Sequence, residues 1–207
     1  MNPPDHSNAV LKAPHEHRSR LLQGMAEAVQ TKAYVAITIS DVVSAAGVSK
    51  RSFYEHFESK EACFLALYAA ASASALRTLQ EALESDRPWD QQIEQGLGAY
   101  FEHLAAGGGL LRALFIDIHF LGDAGAAARR AVMQALADFV LETVNGPVSN
   151  QPVLTPTLAM AVVGAINELI LLAIEANQVE QLPNLTQASS DLVRLLTQVP
   201  LASSGQK

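Results

Sequence analysis

Apolar side chains recur three and four residues apart along almost the whole chain, the spacing of a helix with one buried face. From about Glu16, Leu21, Leu22, Met25, Ala28 and Val29 form such a stripe, which fades near Thr31–Ala33. Thr38, with Asp41 three positions on, is a capping-box pattern opening a second helix whose face is Ile39, Val42, Val43 and Ala46. Gly47 ends that helix, because glycine accepts the left-handed backbone of a tight exit. Ser49 is placed to cap a third helix from Lys50 to about Phe57, and Ser59 a fourth beginning at Lys60. Further helices are predicted near 60–85, 89–105, 109–120, 124–145, 155–177 and 185–199. Pro88, Gly107-Gly108-Gly109, Gly122, Gly146-Pro147 and Pro183 mark the breaks. No stretch alternates in the strand manner, so the fold class is all-α. Residues 1–15 hold Pro3, Pro4 and Pro14 with few apolar groups, which predicts a disordered tail.

Residues 38–57 therefore read as helix, short turn, helix. The second of these helices aims Phe53 and Phe57 at a core with Val42, Val43 and Val48, and leaves Lys50, Arg51 and Tyr54 on the other side. A short helix with cations at its start suits a DNA major groove. Charge sharpens this. The chain of 207 residues is 49% apolar, enough for a core, and carries a net charge of −7. Through Ala62 seven cations meet seven anions, whereas beyond it seven meet fourteen. The asymmetry points to an N-terminal module that tolerates a polyanion and an acidic body that does not, with ordinary solvated helix faces as the alternative.

The segment Thr38–Glu61, TISDVVSAAGVSKRSFYEHFESKE, resembles the DNA-binding signature of TetR/AcrR-type transcriptional regulators. The resemblance rests on the threonine cap, the AAGVS turn, the F-Y-x-H-F of the recognition helix and the S-K-E that opens helix four. It covers about 45 residues closely and the rest only as helices of suitable length. It implies about nine helices: an N-terminal three-helix helix-turn-helix domain, residues 16–62, and a larger ligand-sensing and dimerisation domain, residues 63–207. Many members have glycine before the aromatic that follows helix one. Here Ala33 precedes Tyr34, so helix one is expected to end differently, because a left-handed alanine costs about 1 kcal/mol.

On this reading Lys50 and Arg51 reach phosphates or guanine edges, and Ser49 and Ser52 donate to phosphate. The Tyr54 hydroxyl reaches a phosphate, as the matching tyrosine does in the family. Thr38 and Lys60 sit at helix starts that can bind phosphate. His56 is divided between packing and phosphate, and Arg18 and Arg20 between flanking DNA backbone and solvent. In the body, two strongly apolar helices call for a partner. Leu158, Val162, Ile166, Leu169 and Ile170 of one, with Leu185, Leu192, Leu195, Leu196 and Val199 of the other, are predicted to build a four-helix homodimer interface. The family's ligand pocket would draw on Trp89, Tyr100, Phe101, His103, Phe115, His119, Phe120, Met133 and Asn167.

The implied function is a sequence-specific regulator, a repressor released from a palindromic double-stranded operator by a small-molecule effector. An activator of the same family, or a ligand-binding or interaction bundle without a DNA role, are the alternatives. No nucleophile–base motif, metal-ligand helix or phosphate loop appears, so no enzyme, cofactor or metal is expected; Gly107-Gly108-Gly109 lacks a phosphate loop's lysine and preceding strand. Cys63 is the single cysteine, which fits a reducing cytoplasm. The start lacks an apolar signal core, so no export is expected. Leu158–Ile174 is barely long enough to span a bilayer and contains Asn167 and Glu168, which favours a buried helix over a membrane span.

Overall fold

The computed structural model describes residues 7–83, 89–146 and 154–198. Among them are nine α-helices and no strand, so the chain is all-α with an N-terminal helix-turn-helix domain. The helices are α1 (Ser7–Thr31), α2 (Ile39–Ala46), α3 (Lys50–His56), α4 (Lys60–Glu81), α5 (Trp89–Ala106), α6 (Leu110–Phe115), α7 (Gly122–Asn145), α8 (Pro156–Glu175) and α9 (Thr186–Gln198). Three 3-10 turns join them, at Tyr34–Ala36, Asp117–Leu121 and Val179–Leu185. The described helix α1 begins at Ser7, upstream of the start near Glu16 that periodicity suggests.

The chain divides into two compact units. The first holds residues up to Ala71 together with Gly109–Ala126, so α6 and the turn after it join the N-terminal helices. Its core is Leu21, Met25, Val42, Phe53 and Phe64, all without solvent exposure. α1 and α2 cross at Gly24, where an added Cβ would lie 2.6 Å from the Val42 carbonyl oxygen and 2.8 Å from the Ala46 nitrogen. Only glycine lets two backbones approach this closely. α1 leaves through Ala33 at φ −59° and ψ 143°, extended backbone that alanine adopts without strain. That is how this chain dispenses with the glycine expected there.

The second unit holds Ser72–Gly108 and the chain from Ala127 onward. α5 packs against α9 and the Val179–Leu185 turn, and α8 against both of these. Arg194 of α9 binds Glu94 of α5 at 3.0 Å. Asn145, at the end of α7, donates through Nδ2 to the Leu154 carbonyl and accepts at Oδ1 from its N–H, both at 2.9 Å. α8 is then started by Thr155, whose hydroxyl accepts from the Leu158 N–H, with Pro156 in the first turn, where its missing N–H is harmless. α4 and α8 are long and apolar enough to cross a membrane, with mean hydropathy of 1.4 and 2.1. In α8 that apolarity is used internally: Ala159, Val162, Val163, Ile166, Ile170 and Ile174 are buried within the chain.

Candidate nucleic-acid interface and ligand cavities

Local chemistry builds the helix-turn-helix one cap at a time. The Thr38 hydroxyl accepts from the Asp41 N–H at 3.3 Å, and Asp41 Oδ2 accepts from the Thr38 N–H at 2.8 Å, closing the capping box. Lys32 Nζ adds an ion pair to Asp41 at 2.6 Å. These partners hold the Asp41 carboxyl at about 2, with the Lys32 hydrogen bond the largest cause. Gly47 turns the chain at φ 61°. Its carbonyl accepts from Arg20 Nη2 at 2.9 Å, so α1 braces the turn directly. The Ser49 hydroxyl accepts from the Ser52 N–H at 3.1 Å and starts α3; the Ser59 hydroxyl accepts from the Ala62 N–H at 3.1 Å and starts α4.

Phe53 on α3 and Phe57 at its C-terminal cap are buried, their rings tilted at 48° with centroids 5.8 Å apart, while Lys50, Arg51, Tyr54 and Glu55 face solvent. Tyr54 is 59% exposed, a large aromatic left uncovered beside two cations. Arg51 Nε lies 3.2 Å from Glu55 Oε1, one turn further along the helix. Ser49 is exposed and Ser52 half-buried; both are tied to the start of α3.

Other expected contacts have internal duties. Lys60 Nζ donates to the carbonyls of Tyr34 at 3.1 Å and Ile37 at 2.9 Å, and stands over the Tyr34 ring. At most one of its three N–H groups is left for a phosphate. Thr38 spends its hydroxyl proton on Asp41 Oδ2. His56 is half-buried, its ring edge-on to His17 across 6.5 Å. Arg18 lies over the Phe57 ring and Arg20 holds Gly47, so both serve the fold.

The Tyr34–Ala36 turn that leads into α2 is clamped from three sides. Its Tyr34 N–H donates to the buried carboxylate of Asp117 at 2.9 Å, its carbonyl takes Lys60, and the Tyr34 hydroxyl donates to Glu61 at 3.2 Å. Burial, then Glu61, drives the Tyr34 hydroxyl well above its ordinary range. Asp117 was not foreseen as a structural residue. Its polar character amid Ile116 and Ile118 was the visible signal, but its partner lies 83 positions away. Cys63 is buried, and that burial pushes its thiol up to about 12, which leaves it without thiolate character at neutral pH.

In the second unit two small apolar cavities of about 50 and 60 Å³ share Leu79, Leu97, Val140 and Ile166 in their walls. Of the expected pocket residues, Tyr100, Met133 and Asn167 line the larger. Phe101 is fully buried and lines neither; His103 is half-buried on α5. Phe115, His119 and Phe120 belong to the first unit and line neither of these two cavities, and Phe120 is 61% exposed. The side chain of Trp89 lies outside the described residues. Sequence reading missed the aliphatic majority of the lining, including Ile93, Leu136 and Val163, because they follow the same helical stripe as ordinary core. The lining contains no charged side chain.

The expected partner surface also divides. Val162, Ile166 and Ile170 are buried within the chain. Leu158, Leu169, Leu185, Leu192 and Leu196 are half-buried, and Leu195 is 64% exposed. Val199 lies outside the described residues. On α8 the exposed positions are Pro156, Thr157, Ala161, Ala165, Glu168, Leu172 and Glu175, none of them among the residues expected at the interface. Among the described residues no group of three or more histidine, cysteine or acidic side chains could hold a metal.

Residues 21–67 match the family of bacterial regulatory proteins, tetR family. The chain is 31% identical over 91 residues, 42% of its length, to the HTH-type transcriptional regulator YerO of Bacillus subtilis. It is 24% identical over 130 residues, 63% of its length, to the HTH-type transcriptional activator FasR of Mycolicibacterium smegmatis. The matches span 31% and 59% of those relatives' lengths. The fold superposes on the transcriptional regulator FadR of Bacillus subtilis, solved with stearoyl-CoA, with a TM-score of 0.69 at 15% identity, covering 84% of this chain and 96% of that one. The capped helix-turn-helix thus lies inside the segment that matches the tetR family model, and the all-α fold is shared with the solved regulator.

Proposed function

We propose that this protein is a cytoplasmic DNA-binding regulator that works as a homodimer on a near-palindromic site and represses until a small apolar molecule occupies its cavities. The observation that carries the reading is the outer face of α3: Lys50, Arg51 and Tyr54 stand exposed on a helix seated by Phe53 and Phe57. Arginine offers a bidentate fork to guanine, lysine a mobile charge and tyrosine a hydroxyl to phosphate. Ser49 and Ser52 add short donors nearby, and Thr38, His56 and Lys60 hold the turn and the helix starts around them. Two copies would place two such helices in successive major grooves, about 34 Å apart. The outward residues Leu172 and Leu195, flanked by Ala161, Ala165, Leu169 and Leu192 and with the exposed Glu168 among them, are the surface we assign to the partner copy.

The effector's buried part is hydrocarbon, because the cavity walls offer Asn167, Gln92 and Thr143 but no charge to hold an ionic group. A fatty acyl chain of the kind carried by the stearoyl-CoA of the FadR structure fits that chemistry. It could enter only by turning the side chains shared between the two cavities, and it changes DNA affinity only by favouring one state of the protein. The FasR likeness favours a second reading, activation, on the same DNA contacts.

Selection of bound duplex from a random pool tests the DNA reading. A two-fold symmetric site is expected, bound with affinity that falls steeply with salt and is lost in the Arg51→Ala, Tyr54→Ala double variant. A chain that selects no sequence overturns it. Titrating medium- and long-chain acyl compounds against the selected site tests the effector, and a promoter–reporter fusion gives the sign of regulation.

A further inference from the structure

The exposed face of α3 carries one anion, Glu55, among its cations. An anion facing a duplex opposes binding to any sequence, because every phosphate repels it. Folding does not account for it. Glu55 is 54% exposed, and its partner Arg51 is 90% exposed. An ion pair so open to water adds little stability, and the order here, cation before anion along the helix, is the weaker one. The pair does have a geometric effect. A guanidinium has five N–H donors, and Glu55 takes the one on Nε at 3.2 Å. The two terminal nitrogens remain, and they form the fork that meets guanine O6 and N7.

We propose that Glu55 is a specificity-determining residue: it holds Arg51 in the orientation that reads a guanine edge and penalises every register in which Arg51 swings to a phosphate. When Arg51 leaves for the backbone, Glu55 is stranded against the duplex without a counter-charge. Wrong sequences are thus disfavoured by repulsion as well as by a missing contact. The proposal rests on the DNA-binding reading above.

The test uses the full chain in three forms, wild type, Glu55→Ala and Arg51→Ala, at one salt concentration. Each is measured against the selected site, against that site with each base pair replaced in turn, and against random duplex. Both residues are exposed, so the variants should unfold at the wild-type midpoint. Glu55→Ala is expected to bind random duplex more tightly. It should also lose about fivefold of preference at the one base pair per half-site that Arg51→Ala flattens, the low end of a bidentate contact. If Glu55→Ala strengthens every duplex by one common factor, Glu55 is only a general repellent and the proposal falls. If it flattens a base pair that Arg51→Ala leaves intact, Glu55 reads that pair itself and the proposal also falls. A wild-type chain that selects no site ends the DNA-binding reading and this inference together.

Discussion

The Tyr34 amide shows how much one hydrogen bond can organise. It is buried, and Asp117 satisfies it from a segment far along the chain. Asp117→Ala would leave that N–H without a partner in an apolar setting, which costs about 1–3 kcal/mol. Urea unfolding should show that loss, and Asp117→Asn, which keeps an acceptor oxygen, should recover most of it. Single residues differ widely in how far sequence reveals them. Phe53 and Phe57 declare themselves as core by their spacing, and Thr38, Ser49 and Ser59 as caps by their neighbours, because each interaction closes within four residues. Asp117 and Lys60 do not, since their carbonyl and amide partners are supplied by distant backbone.

At the scale of elements, the crossing of α1 and α2 is set by Gly24. Gly24→Ala would gain about 1 kcal/mol of helix propensity but press a methyl into backbone at 2.6 Å. Backbone cannot move aside cheaply, so overpacking should win and lower the unfolding free energy by about 1–3 kcal/mol. The start of α2 gives a pH signature. Asp41 is held at about 2, below its ordinary value near 4. Its contribution is complete above that ordinary value and is lost as pH falls toward 2, because the unfolded chain takes up the proton first. Unfolding measured from pH 5 to pH 2 should therefore lose stability more steeply in the wild type than in Asp41→Asn. Helix positions were legible to within a few residues for α2 and α3, where caps punctuate the chain. Which face of α9 turns inward was not. Its leucines suggest one stripe, yet Ser189, Ser190 and Val193 are the buried positions, fixed by what α5 and α8 bring against them.

For the whole molecule, the seven surplus negative charges lie beyond Ala62, so a polyanion should be met by the N-terminal unit alone. Pairing of two chains is carried in our reading by exposed leucines on α8 and α9. Leu195→Glu, at a position 64% exposed, should leave the protomer folded. Two-fold symmetry would place two such carboxylates in one apolar interface, weakening association about 100-fold or more. Sedimentation at micromolar concentration would read this as a shift from dimer to monomer. The fold class was legible throughout, because helical periodicity needs no partner. Which apolar faces a second copy would cover was not legible, since an apolar helix looks alike whether its own chain or a second copy covers it. The membership of Gly109–Ala126 in the first unit also has a practical meaning for chimeric regulators. A head transplanted onto a foreign sensor by a cut after α3 or within α4 would arrive without the carboxylate that fastens its leading turn. Such hybrids should read DNA faithfully only when the donor's α6 and the stretch behind it travel along.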